Sequence, residues 1–241
     1  LQSNVMANLA EGLYGSRETH LHTAPSFHIG GASGVFSVMV SGARSVMLPR
    51  FDAGAVLNAI AAEKCTSTLL VPTMLQMVLD HPAFEQTDTS SLRQVLYGAS
   101  PISEALLDRA LARWPAVRFT QLYGMTELSP VCTVLHAEEH VGVARVKNRH
   151  RSAGRATFGL EVEIVNPEGM PVARGEIGEI VVRGPNVMAG YWDRPEETSK
   201  AIRGGWMHTG DGGYMDDEGF VFVVDRLKDM IISGGENVYS I

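Results

Sequence analysis

The chain has 241 residues, 45% apolar and 20% charged, enough for one large globular domain or two small ones, and a composition that argues against disordered or fibrous classes. A formal net charge of −7 argues against nucleic acid as the main partner, although a helix N-terminus or glycine loop could still hold a local anion. Cys65 and Cys132 stand far apart, outside any CxxC pattern, as expected of a reducing, cytoplasmic compartment; no apolar run of eighteen residues predicts a membrane span.

In chain order, LQSNVMANLAEGLYG reads as a helix already under way at residue 1. A strand is expected at 19–24 and an apolar, glycine-containing helix at 29–40. A strand at 45–48 and a helix at 53–63 follow, then a strand at 67–71 whose Pro72 suits the first turn of the next helix. The order repeats with a strand at 94–97, a helix at 103–113 and a strand at 117–122, so this half predicts a mostly parallel, covered α/β sheet. After about Ser152 short strands at 161–165, 179–183, 213–215 and 221–224 alternate with turns (NPEG, ARGEIG, DDEG), the pattern of a small antiparallel barrel; one helix interrupts it at 195–201. Arg145, Lys147, Arg149 and Arg151 read first as a solvated connection between the halves, with phosphate binding as the lesser alternative.

Four stretches combine residues of chemical use. TAPSFHIGG (23–31) ends a strand in His28 and two glycines, where either a turn histidine or a contact to a carboxylate would fit. Gly30, Gly31 and Ala32 leave room for an acyl chain or simply for helix packing. YGAS (97–100) lacks bulk at Gly98 and Ala99, which suits a flat ring or a tight strand-to-helix turn. QLYGMTELSP (121–130) delivers the aromatic Tyr123, the hydroxyl of Thr126 and the carboxylate of Glu127, a hard oxygen ligand suited to Mg²⁺; helix capping by Thr126 is the competing account, weakened by Pro130. In GWMHTGDGGYMDDEGFVFVVDRLKD (205–229) the glycine-flanked Asp211 could accept two hydrogen bonds, and Arg226 and Lys228 follow an apolar strand. His136-Ala-Glu-Glu139-His140 matches HxxEH, but no third metal ligand is proposed for it; Ser33 in GASGV lacks the second glycine of a hydrolase elbow.

Together and in this order, APSFH, YGASP, YGMTE, GWMHTGD and DRLKDMIISGGENVY resemble the adenylate-forming superfamily of acyl-CoA synthetases, adenylation domains and luciferases, over essentially the whole chain. SGGENVY and SAGRAT (152–157) are most similar to bacterial fatty-acyl-CoA synthetases. The resemblance implies ATP, Mg²⁺ and CoA, a small carboxylic acid as substrate, and an acid:CoA ligase activity. The rival expectations are an adenylation domain loading a carrier protein and a non-catalytic nucleotide-binding relative; a homodimer stays open. It implies Tyr123 stacked on adenine against Gly98, Ala99 and Ser100, Thr126 on the α-phosphate, and Glu127 on Mg²⁺. It further implies Asp211 on the ribose with Arg226 assisting, His28 in the acid pocket, Lys228 at the hinge of a C-terminal lid, and Gly234 and Gly235 beside the pantetheine path. The expected division is 1–152 for an α/β subdomain with the acid and adenine sites, 153–224 for a small β-barrel, and 225–241 for the hinge. The family's phosphate loop and lid are expected outside these 241 residues, so the chain alone is expected to be nearly inactive.

Overall fold

The computed structural model describes residues 1–226 and the strand pair Ile231–Ser233 and Glu236–Val238. Two sheets organise it. The first has seven strands: β1 (Thr19–His22), β2 (Arg44–Met47), β3 (Ser67–Leu69), β4 (Gln94–Gly98), β5 (Arg118–Gly124), β6 (Val131–Leu135) and β7 (Arg155–Ala156), in spatial order β2-β1-β3-β4-β5-β6-β7. Pairing is parallel from β2 to β5 and antiparallel for β6 and β7, the mostly parallel sheet that alternating strands and helices imply.

Both faces of that sheet are covered, and β4 shows how. Val95 and Tyr97 pack into one core with Val56, Leu57 and Ile60 of α3 (Ala53–Glu63), Leu75 and Val78 of α4 (Pro72–Asp80) and Leu107 of α5 (Glu104–Arg113). Leu96, between them, points to the opposite face with Leu13, Tyr14, Val38 and Val134. Helices α1 (Gln2–Ala10) and α2 (Ile29–Ser41) pack there. Local chemistry fixes the helix ends: Asp52 caps α3 by accepting from Ala55 N at 2.8 Å, Pro72 occupies the first turn of α4, and Ser103 caps α5.

The second sheet is antiparallel, with β8 (Glu161–Val165), β9 (Gly178–Arg183), β10 (Ile202–Arg203), β11 (Trp206–Met215) and β12 (Val221–Arg226); α7 (Pro195–Ala201) precedes β10. Its inner face carries Val162, Ile164, Ile180, Val182, Met207 and Val221, and the core is completed by Leu128 and Cys132 of the first sheet's β5–β6 region. The sheets therefore share a core along the segment that carries YGMTE. The strand expected at 213–215 proves to be the end of the ten-residue β11. Its first part escapes a propensity reading because a β-bulge between His208 and Gly212 interrupts the ladder with β9, and Gly210 sits there at φ 74°, a left-handed conformation suited to glycine.

The basic run is exposed at Lys147 and Arg151, as a solvated connection would be, but it is also paired throughout. It spans α6 (Gly142–Val146) and the turn after it, and each side chain has an acidic partner: Arg145 with Asp108, Lys147 with Glu218, Arg149 with Glu139 and Glu218, Arg151 with Glu104. Arg149, only 13% exposed, also lies over the Phe220 ring at 4.7 Å. These cations fasten α5 and the β11–β12 turn to one strap, with Arg149 withdrawn from solvent and Lys147 and Arg151 still exposed. The HxxEH residues diverge likewise: His136 reaches Glu11, Glu139 reaches Arg149, and buried His140 meets the Tyr97 hydroxyl. Among the described residues no three His, Cys, Asp or Glu side chains gather as a metal site, and no helix is long and apolar enough to cross a membrane.

Candidate active site

A cavity of about 940 Å³ opens where the carboxyl ends of the parallel strands face the second sheet, the place where open α/β sheets bind ligands. Residues after β1 (Pro25 and Phe27 to Gly30), after β4 (Gly98, Ala99), along and after β5 (Leu122 to Glu127) and from β11 (Thr209, Gly210) line it, with Arg226 at the end of β12.

The YGAS turn is shaped by close approach. A Cβ on Gly98 would lie 2.0 Å from Leu122 O, so β4 and β5 pack as they do only with glycine there. Ala99 follows at φ 67°, a left-handed conformation that costs a non-glycine residue on the order of 1 kcal/mol and is commonest at turns and functional sites. Both line the cavity, whereas Ser100 is exposed just outside its lining. Gly31 is a packing glycine, since its Cβ would meet Pro25 O at 2.2 Å; Gly30 faces the cavity.

Tyr123, at the end of β5, donates its hydroxyl to Asp211 Oδ2 at 2.7 Å. Burial first, then Cys132 and Asp211 close by, holds that phenol well above the ordinary tyrosine range, so it remains a donor. Asp211 lies in β-register with Arg226, whose Nε is 3.6 Å from Asp211 Oδ1. An aromatic ring, a carboxylate and a guanidinium from β5, β11 and β12 are thus joined across the two sheets.

After β5 the chain makes a single 3-10 turn, Thr126–Leu128, with no side-chain cap, so the capping account of Thr126 does not describe it. The Thr126 hydroxyl is exposed at the cavity and has no hydrogen-bond partner among the described residues. Glu127 is held at both ends by one loop: its backbone oxygen accepts from Met188 N at 2.8 Å, and Oε1 accepts from the Tyr191 hydroxyl at 2.8 Å. Burial, then the Glu127 carboxylate, raises the Tyr191 pKa and keeps it a donor. Buried Asn186 of the same loop donates Nδ2 to Leu128 O at 2.6 Å and to Val131 O at 3.2 Å, and its own carbonyl accepts from Ser129 Oγ at 2.9 Å.

Across the cavity His28 is the N-cap of α2. Its Nδ1 accepts from Gly30 N at 3.2 Å, which in the neutral ring leaves Nε2–H as the donor. His28 thus sits in the turn at the start of α2 and lines the cavity. Lys228, Gly234 and Gly235 lie outside the described residues.

Sequence reasoning passed over the loop GPNVMAGYW, which supplies Asn186, Met188 and Tyr191, and Glu179 of β9, which lines the cavity and accepts from Gly210 N at 3.1 Å. A glycine-bounded stretch with an asparagine and two adjacent aromatics was the available signal.

A family model described as AMP-binding enzyme matches residues 2–192. The chain belongs to the AMP-binding enzyme family. Within it, the chain is 44% identical over 240 residues to a feruloyl-CoA synthase of Amycolatopsis sp, covering 98% of the chain and 47% of that protein. It is 40% identical over 231 residues to the medium/long-chain-fatty-acid–CoA ligase of Mycobacterium tuberculosis, covering 96% of the chain and 39% of that protein. The solved o-succinylbenzoate coenzyme A synthetase of Bacillus subtilis in complex with ATP and magnesium ion superposes with a TM-score of 0.86 at 34% identity, over 99% of the chain and 48% of that structure. The chain spans less than half the length of these relatives. Family membership agrees with the mostly parallel first sheet and the antiparallel second sheet described above.

The donor set suits a magnesium nucleotide. Mg²⁺ is usually held by one or two carboxylates together with substrate phosphates and waters; this cavity offers the Glu127 carboxylate beside the free hydroxyl of Thr126, while its other lining carboxylate, Glu179, is engaged by Gly210 N, Arg203 and His208.

Proposed function

We propose that this chain is the acid- and nucleotide-binding body of an AMP-forming acid:CoA ligase acting on a small carboxylic acid. The observation that carries the proposal is the convergence on one cavity of Tyr123 and Arg226, which share the partner Asp211, of the tethered Glu127, and of the oriented His28.

The chemistry needed is activation of a carboxylate, a poor electrophile. A carboxylate oxygen attacks the α-phosphorus of ATP and expels pyrophosphate; the CoA thiol then attacks the acyl carbon and expels AMP. Mg²⁺, when bound, neutralises phosphate charge so that two anions can approach. The rest falls to residues of this chain. Tyr123 offers an aromatic face for adenine beside Gly98 and Ala99, while the Asp211 carboxylate, steadied by Arg226, accepts from ribose hydroxyls. Thr126 donates to the α-phosphate, Glu127 keeps Oε2 available for the metal while Tyr191 holds Oε1, and His28 Nε2–H meets the acid's carboxylate at the start of α2. The ending SGGENVY supports a fatty acid as substrate, and the feruloyl-CoA synthase relative supports an aromatic one.

Acid-dependent pyrophosphate release by the full-length protein tests the proposal. Thioester formation with CoA, against transfer to a carrier protein, separates a CoA ligase from a loading domain. Glu127→Ala should lower release by about a hundredfold or more. Unchanged release would remove Glu127 from the metal site.

A further inference from the structure

A second cavity, of about 330 Å³, opens on the other face of the second sheet. The core takes Val162, Ile164, Ile180, Val182 and Met207, so the alternate residues Glu163, Val181 and His208 point away from it. They lie side by side, with Val181 in register with Glu163 on one strand and His208 on the other. Trp206 and the turn after β8, where Pro171 bridges back to Val165, complete the walls, and Glu168 stands on that turn. The volume falls at the lower end of the range for small-molecule sites.

The polar groups left open here are acceptors. The His208 side chain is only 9% exposed; its Nδ1 is 2.7 Å from Glu179 Oε2, and its Nε2 has no hydrogen-bond partner among the described residues. A carboxylate oxygen that close requires a proton on Nδ1, because two lone pairs would repel, so in the neutral ring Nε2 presents its lone pair. The half-buried Glu163 carboxylate and the exposed Glu168 carboxylate have no partner among the described residues either. Arg203, the cation in the lining, is already paired with Glu179 Oε2 at 3.1 Å, beside His208 Nδ1.

We propose that this cavity binds a small primary alkylammonium ion. Its three N–H donors match the His208 lone pair and the two carboxylates, and its alkyl stem matches Val165, Pro171 and Trp206. An anion would meet Glu163 and Glu168 with Arg203 already neutralised, and an alcohol brings one donor to three acceptors. The site is also wired to the first cavity. Glu179 lines that cavity, and its other oxygen, Oε1, accepts from Gly210 N at 3.1 Å, in the bulge immediately before Asp211. An N–H bond to His208 Nε2 fixes the tautomer that holds Glu179, so a filled site steadies the bulge that presents Asp211. This coupling rests on the nucleotide reading of the first cavity; the binding itself does not.

Calorimetric titration of the full-length protein with pentylamine, without ATP and at about pH 7.5, where the amine is charged, measures the binding. Saturation with a dissociation constant of a few millimolar or less is expected, and pentan-1-ol, the uncharged counterpart, should bind at least about tenfold more weakly. Glu163→Gln keeps the shape and removes the charge, and should weaken pentylamine about tenfold; Glu168→Gln, on the exposed turn, should weaken it about threefold and covers the case in which the first variant folds poorly. No saturation by about 20 mM, equal binding of the alcohol, or unchanged affinity in both variants overturns the site. With the site filled, the dissociation constant for ATP should fall about twofold or more, and an unchanged value overturns the coupling. Failure to bind ATP while pentylamine still binds overturns the nucleotide reading and leaves the amine site standing.

Discussion

Replacing Asn186 by alanine isolates what the loop before α7 does for Glu127. The side chain is 1% exposed and donates Nδ2 to two carbonyls, Leu128 O and Val131 O. Two hydrogen bonds are lost, at about 1 kcal/mol each. Val131 O keeps a donor, Asn4 Nδ2 at 2.7 Å, so only Leu128 O becomes a buried acceptor without a partner, a further cost of about 1 kcal/mol or more. Against this, Asn186 Oδ1 is already unpartnered, and removing it returns about 1 kcal/mol. The net loss is about 2 kcal/mol, which for a chain of this size lowers the melting temperature by roughly 4–8 °C. Calorimetry or thermal circular dichroism of the purified variant measures it, with acid-dependent pyrophosphate release alongside, because the turn that carries Thr126 and Glu127 loses its anchor. A melting temperature within about 1 °C of the parent would refute the assignment of Asn186 as the anchor.

Further expectations concern neighbouring parts of the site. Gly98→Ala would force a Cβ to within 2.0 Å of Leu122 O, so β4 and β5 must separate; a loss of about 3 kcal/mol in denaturant unfolding is expected, and an unchanged midpoint would contradict it. Tyr191→Phe removes the hydroxyl that orients Glu127 and should raise the Mg²⁺ concentration for half-maximal activity about threefold, whereas a lower requirement would mean that Tyr191 competes with the metal. Burial lowers the pKa of His20 to about 3 and of His140 to about 4, so both stay neutral in the fold while unfolded imidazoles take up protons below about pH 6.5. Stability is therefore present in full above about pH 6.5 and falls as the pH drops toward 4; equal urea midpoints at pH 7.5 and 5 would count against it.

What the sequence made legible were local patterns. Helix α3 is found at 53–63 as expected because its apolar spacing and the Asp52 cap are contained within a dozen residues. The strand before YGAS is found because an apolar run ends in a glycine that strand packing requires. Of the motif residues, the fold gathers His28, Gly98, Ala99, Tyr123, Thr126, Glu127 and Arg226 on one cavity and joins Asp211 to Tyr123; their chemical roles stand on the proposal above. What escaped were partners distant in the chain. Arg149 looked solvated because Glu218, its partner, is 69 residues away, and Tyr191 carried no sign of Glu127, 64 residues earlier. The bulge of β11 hid a ten-residue strand behind a run of glycines. Alternation and capping act over one or two turns of chain, while these contacts are decided by which strands become neighbours.

Two groups of residues at the cavity are supplied by different parts of the chain. Asn8, Tyr14 and Ser33 come from the first two helices and the segment after α1, while Glu127, Asp211 and Tyr191 come from the β5–β6 turn and the second sheet. Substitutions that reshape the first group need not disturb any direct contact of the second. Under the ligase reading proposed above, substitutions at Asn8, Tyr14 and Ser33 therefore reshape one part of the cavity while those contacts stay as they are.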